Sequence, residues 1–393
     1  HENNRWVVQG YELSGGLVEK NAETNQLVRT IKNINYSLLD SHVHWHDFTH
    51  ETDDMEFKGV DVKIETFLGN RNLDVKVDLP QQYGDTLQIT AELDGDILYH
   101  DKLKGKIYIK GQSINLDKWL SKFEVGDGLD VSGLTDVALW IYFDEHKIWK
   151  ASGELSGTDI EVSNLKRSRI TWHAQAIELQ FLFRKLSNGW RVDVDNLSVV
   201  RNNDEWFHKS QLLFKHTADI ENSFSADYLR LQDVIPLAMI FSDIKNNEAF
   251  QVLALEELSG DIYNAEVRIG DAKNERFVSA TVEDLDFYLK KEKIKGQGID
   301  GTINVENNDI ELLFDSTRSR LDFAGTLREA IELDVVTGSI EISSERDALS
   351  IRSSDLTAVN ADFNLRSRFE MAESNGANHL DMQVDFFDVS AKN

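Results

Sequence analysis

Apolar and polar residues alternate along most of this chain with a period of two. Val60, Val62 and Ile64 are interleaved with Asp61, Lys63 and Glu65, and Leu73, Val75 and Val77 with Asp74, Lys76 and Asp78. The alternation returns at Val137, Leu139, Ile141 and Phe143, at Ile177, Leu179, Phe181 and Phe183, and finally at Leu380, Met382, Val384 and Phe386. Such a period places the two sets of side chains on opposite faces of a strand. Turn formers such as Gly15-Gly16, Gly69-Asn70, Asp94-Gly95, Asn188-Gly189 and Asn307-Asn308 punctuate the runs, at about the ten-residue spacing of short strands. Asp94-Gly95 and Asn188-Gly189 predict hairpins. The pattern predicts a mainly β protein, a long antiparallel meander with one apolar face.

Two stretches break the pattern. In Tyr228–Phe241, Leu231, Val234, Ile235 and Ala238 recur at helical spacing, which predicts a short amphipathic helix. Pro236 is expected to end or kink it near Ile235. Ile114–Leu120 can be laid over Leu229–Ile235, so a strand running into a short helical turn is expected there too. These turns mark off three successive parts of one sheet, residues 1–124, 125–241 and 242–393.

Composition narrows the function. The chain of 393 residues has a net charge of -27, which disfavours nucleic acid, whose binding relies on Lys and Arg at phosphates. The same charge disfavours docking flat on anionic head groups. Two prolines in the whole chain fit a molecule that is mostly hydrogen-bonded sheet. The absence of cysteine excludes disulfides and thiolate metal sites. No stretch approaches the roughly 20 apolar residues of a membrane-spanning helix. Arg5-Trp6-Val7-Val8 already reads as a strand, so the chain is expected to be a piece of something longer or a processed product.

Candidate chemistry is sparse. His42, His44 and His46 would share one face of a strand, an arrangement that could offer imidazoles to a metal. The plainer reading is a polar strand face backed by Val43 and Trp45, and that reading is preferred. Trp140, Trp149, Trp172, Trp190 and Trp206 read as packing or a rim, with a sugar-stacking platform as the sharper alternative. There is no G-x-S-x-G, H-E-x-x-H or phosphate-binding loop, and none of the 69 acidic residues is set apart. Neither an enzyme nor a cofactor is expected.

A one-sided sheet must bury its apolar face against something. A second sheet would make sandwiches; a curled trough would leave the lining for a ligand. Periodicity alone leaves both open.

The order of segments in the second half resembles a known family. Leu229–Leu237 is followed by Val252–Gly260 and the strand Asp261–Ile269. Then come Phe277–Leu285, Gly296-Gln297-Gly298-Ile299-Asp300-Gly301-Thr302-Ile303 and Ile310-Glu311-Leu312. This succession resembles the central region of the YhdP proteins, in the AsmA-like group that includes TamB. Ser259 and Lys295 stand where that pattern has prolines. The resemblance implies an antiparallel meander curled into an elongated apolar groove, with two short helices. It implies phospholipid transport between the inner and outer membranes of a Gram-negative bacterium, in the periplasm, by an inner-membrane-anchored protein whose membrane contacts lie outside this stretch. On that basis the expected lining is Val137, Leu139, Ile141, Phe143, Ile177, Leu179, Phe181, Phe183, Leu380, Met382, Val384 and Phe386. The rival reading is a structural or adhesive β-sandwich without lipid.

Overall fold

The structure, a computed structural model, describes residues 5–8, 11–14, 35–45, 55–67, 70–95, 103–120, 128–145, 147–164, 170–218, 221–241, 257–270, 276–290, 293–324, 328–345, 348–374 and 377–389. The first half contains β1 (Arg5–Val8), β2 (Tyr11–Ser14), β3 (Tyr36–Trp45), β4 (Met55–Phe67), β5 (Asn70–Asp78), β6 (Thr86–Asp94), β7 (Lys104–Asn115), helix α1 (Leu116–Leu120), β8 (Leu129–Asp144), β9 (Lys147–Asn164) and β10 (Thr171–Leu186). Next come β11 (Gly189–Arg201), β12 (Asp204–Glu205), β13 (Ser210–Thr217), β14 (Glu221–Arg230) and helix α2 (Leu231–Phe241). The remainder is β15 (Glu257–Gly270), β16 (Arg276–Leu289), β17 (Ile294–Glu306), β18 (Asp309–Phe323), β19 (Ile331–Glu345), β20 (Ala348–Val359), β21 (Phe363–Ser374) and β22 (Ala377–Val389). Among the described residues, the predicted antiparallel meander with two short helices is the observed fold. Strands β3 to β8 pair in sequence order. Strands β13 to β22 do the same, and β11 joins β13 directly.

The chain divides into two compact units. The first comprises His1–Asp127, Val131–Ile160 and Ala176–Lys185; the second comprises Gly128–Asp130, Glu161–Gln175 and Leu186–Asn393. In the first unit the alternation becomes rows that cross the strands. Leu38, Val62, Val75, Ile89, Ile109 and Leu139 stand opposite one another from β3 to β8. Tyr36, Ile64, Leu73, Ala91, Ile107 and Ile141 form the next row. Directly opposed apolar side chains are the stabilising unit of such a sheet. A small core forms where α1 leaves β7. Val60, Val77, Leu79, Tyr83 and Ile114 are buried there, with Trp119 packed against them. Trp119 Nε1 donates to the Tyr83 carbonyl at 2.9 Å, so its polar atom is satisfied.

In the second unit β14 runs into α2 at Leu231. Pro236 lies inside the helix, which continues to Phe241 rather than ending near Ile235. Proline has no N–H for the carbonyl four residues back, and that carbonyl, on Gln232, accepts Arg201 Nη1 at 2.7 Å instead. The helix is tied down further at Asp233, which is buried. Trp206 Nε1 donates to its carboxylate at 2.8 Å, Arg201 Nη1 at 2.9 Å, and Trp172 Nε1 donates to its carbonyl at 2.9 Å.

Two hairpins show how turn signals translate. Asn307-Asn308 closes β17 onto β18, with Glu306 opposite Asp309. Asp94-Gly95 does not close a two-residue turn: Asp94 stands opposite Lys104, so a longer connection follows it.

The strands are not straight. Five successive strands of the second unit, β15 to β19, each carry a left-handed residue: Gly260, Asp284, Gly298, Arg318 and Gly338. β-bulges sharpen bend and twist locally; Gly260, Asp284, Gly298 and Arg318 sit at the register shifts between β15 and β18 and Gly338 at a separate shift between β19 and β20, so the sheet creases at these bulges. Polar side chains satisfy the amides the crease displaces. Asp284 N–H donates to Asp300 Oδ1 at 2.8 Å and Gly298 N–H to Asp286 Oδ1 at 3.0 Å. The buried Ser316 hydroxyl accepts from Asp300 N–H and donates to Asp300 carbonyl. The first unit repeats the device, with Asp40 N–H on Asp61 Oδ1 and Ser113 N–H on Asp136 Oδ1.

Candidate functional site

One row in the second unit crosses eleven strands without a polar residue. Val192, Phe214, Phe224, Val267, Val278, Val305, Ile310, Ile342, Ile351, Met371 and Leu380 stand opposite one another from β11 through β22. At the spacing of paired strands its contour is about 48 Å. A second row, Ala280, Ile303, Leu312 and Ile340, lies two residues along on β16 to β19. The residues one step over, on the opposite face, are nearly all polar: Asp193, Leu213, Ser225, Glu266, Ser279, Asn304, Glu311, Glu341, Arg352, Glu370 and Asp381. Ser279, Asn304 and Glu311 are linked there by hydrogen bonds of 2.8 and 3.1 Å, and Arg352 pairs with Glu341.

The eleven-membered row is not a core. None of its residues is buried; nine are half-buried, while Phe214 and Leu380 are exposed. Trp172, Trp206, Tyr228, Met239 and Ile240 are buried instead, on α2, on the strand that leads into it, or bonded to its Asp233. The apolar rows therefore offer a continuous uncharged surface, the kind of exposed apolar patch that marks a binding site.

The twelve residues expected as lining lie on strands, and none of them is buried. Val137, Leu139, Ile141 and Phe143 stand opposite Gly111, Ile109, Ile107 and Gly105 on β7. Val137 leans over Gly111, where an added methyl would meet it at 3.2 Å. Ile177 and Phe181 similarly lean over Gly157 and Gly153 of β9. Leu380, Met382, Val384 and Phe386 stand opposite Met371, Phe369, Ser367 and Leu365 on β21, with Leu380 61% exposed. The row members on β11 to β21 were missed by sequence reasoning. Each contributes one residue per strand, and the register that aligns them is not local information.

The histidines do not assemble. His42 and His44 are exposed on β3, with His42 Nδ1 3.8 Å from Glu56 Oε1, and His46 lies outside the described residues. Among the described residues no three His, Cys, Asp or Glu side chains are placed to hold a metal.

Comparison with known proteins settles the family: the YhdP protein family matches residues 15–393. The chain belongs to the YhdP family. YhdP membership associates it with bridge-like lipid transfer in Gram-negative bacteria, with lipid binding and with membrane association; the family is one of transport and not known to be enzymatic. No curated protein and no solved structure matches this YhdP-family chain. No helix among its described residues is long and apolar enough to cross a membrane.

Proposed function

We propose that this chain carries phospholipid between the inner and outer membranes, as the periplasmic part of an inner-membrane-anchored protein. The acyl chains lie along the apolar rows, and the head groups remain in water at the open side. The observation that carries this reading is the unburied eleven-strand row from Val192 to Leu380. Rows run across the strands, so every added strand lengthens the path by about 4.8 Å. Burial of hydrocarbon is worth about 0.8 kcal/mol per methylene, which favours the trough over water. Because the row holds only aliphatic and aromatic residues, no position binds much more tightly than its neighbour. Transport is then passive sliding, with no catalytic group and no cofactor. The residues from Leu380 to Phe386 extend this lining along β22; those from Val137 to Phe143 and from Ile177 to Phe183 give the first unit a lining of its own.

Photo-crosslinking tests this. A benzophenone side chain at Ile310, on the apolar row, should capture phospholipid in cells. The same group at Glu311, on the opposite face, should capture little. Equal capture at both sites, or none at Ile310, would remove the basis of the proposal; none at Ile310 is the result that a closed sandwich gives.

A further inference from the structure

The polar face of the first unit carries a feature that lipid transport does not use. Opposite the apolar rows, most positions hold charges or amides: Asn72, Glu92 and Lys106 stand in one row that ends on Tyr142 of β8. At β7 to β9 four aromatic rings interrupt that surface. Tyr108 stands directly opposite Trp140, with ring centroids 4.8 Å apart. Tyr142, two residues further along β8, lies 5.6 Å from the ring of Trp149. Trp140 is 38% exposed and Trp149 49%, so neither serves a core. Lys150 Nζ sits 5.0 Å from the Tyr142 ring centroid.

Beside the rings is an open cleft of about 460 Å3, within the usual range for small-ligand sites. Asn70, Asn72, Glu92, Lys106 and Tyr142 line it. Leu93, Asp94 and Gly105 complete the lining. Glu92 and Lys106 are paired at 2.8 Å, so the cleft offers a carboxylate, an ammonium and two amides within one small area.

The chemistry of this patch selects among ligands. An acyl chain would desolvate the ion pair and both amides without replacing their hydrogen bonds, which is unfavourable. An anionic polymer would meet Glu92 and Asp94 in a chain of net charge -27. A pyranose ring has what the patch complements: an apolar face of C–H groups to lie on an aromatic ring, and a rim of hydroxyls that both donate and accept. N-acetyl groups would add an amide able to pair with Asn70 or Asn72. We propose that this face binds an uncharged or N-acetylated glycan, with sugar rings stacked on Trp140 and Trp149 and hydroxyls held by Asn72, Glu92 and Lys106. The apolar rows lie on the other face of the same strands, so the glycan and the lipid do not compete.

The test is a titration of the chain with chitotetraose, cellotetraose and maltotetraose, followed by tryptophan fluorescence and by calorimetry. At least one oligosaccharide should bind saturably. The Trp140→Ala/Trp149→Ala double variant should lose at least tenfold in affinity, and Asn72→Ala several-fold. Trp190→Ala, an exposed tryptophan of the second unit, should leave affinity unchanged. Circular dichroism shows whether the double variant is folded; if it is not, Trp149→Phe and Asn72→Ala carry the comparison. Failure of all three sugars to bind overturns the proposal, as does binding that persists undiminished in the folded variants.

Discussion

Arg201 donates to the main-chain carbonyl of Gln232 at 2.7 Å, the carbonyl that Pro236 leaves without its helical donor. The same guanidinium nitrogen reaches Asp233 Oδ1 at 2.9 Å. One side chain thus repairs a proline defect and neutralises a buried carboxylate, and α2 can run through a residue that ordinarily stops a helix.

Removing that side chain is expected to be costly. Asp233 is 4% exposed and Arg201 18%, and breaking a buried pair costs about 3–5 kcal/mol. Arg201→Ala should destabilise the second unit by that amount in urea denaturation. Arg201→Met combined with Asp233→Leu should recover part of the loss, because no lone charge remains. A loss below about 1 kcal/mol for Arg201→Ala would show that the pair is not what anchors α2.

A charge on the apolar face separates lining from core. Leu179 is half-buried on β10. In a lining position, Leu179→Asp keeps the fold, because water can reach the carboxylate when lipid is absent. Bound phospholipid, measured by mass spectrometry of the purified chain, should fall at least tenfold. Loss of the folded state would mark Leu179 as core, and unchanged lipid would take it off the path. Glu178→Lys, on the other face, should alter neither.

Much of this was legible in the sequence, and the limits have physical causes. Alternation at Val137–Phe143 or Leu380–Phe386 identifies a strand and its apolar face, since both are properties of adjacent residues. Alignment of Val305 with Ile310 follows from the Asn307-Asn308 turn, but that of Ile310 with Ile342 is not legible, because it depends on a register set far along the chain. The crease is hidden for a related reason: Asp284 is served by Asp300, sixteen residues on, and either aspartate alone reads as a solvated strand position. Asp94-Gly95 shows the converse, a strong local turn signal overridden by a register that pairs Asp94 with Lys104.

The crease itself can be probed at Gly338. Its φ is +130°, and an added Cβ would lie 2.6 Å from the Asp355 carbonyl oxygen. Such backbone favours glycine strongly. Gly338→Ala should cost about 1–3 kcal/mol, the range for a residue forced into a sparsely populated conformation. Urea denaturation of the purified chain measures it, and a neutral result would mean that β19 can straighten there.

Tyr228 gives the chain an alkaline signature. Its side chain is buried, and its hydroxyl donates to Asp261 Oδ1 at 2.8 Å. Burial, with the hydrogen bond and charge of Asp261 acting in the same direction, pushes the phenol up from 10.0 to about 12; the Arg230 guanidinium offsets only part. The fold therefore favours the neutral phenol. Its contribution to stability is complete below about pH 10, the unfolded value, and disappears as pH rises through the folded value of about 12. Tyr228→Phe should be less stable than the parent by about 1 kcal/mol at neutral pH, for the lost hydrogen bond. Above pH 10 that gap should close, since phenylalanine has no proton to lose. Ultraviolet titration should also lose an ionisation near pH 12. If parent and variant weaken in parallel from about pH 10 to 12, the phenol is not the group that links this fold to alkali.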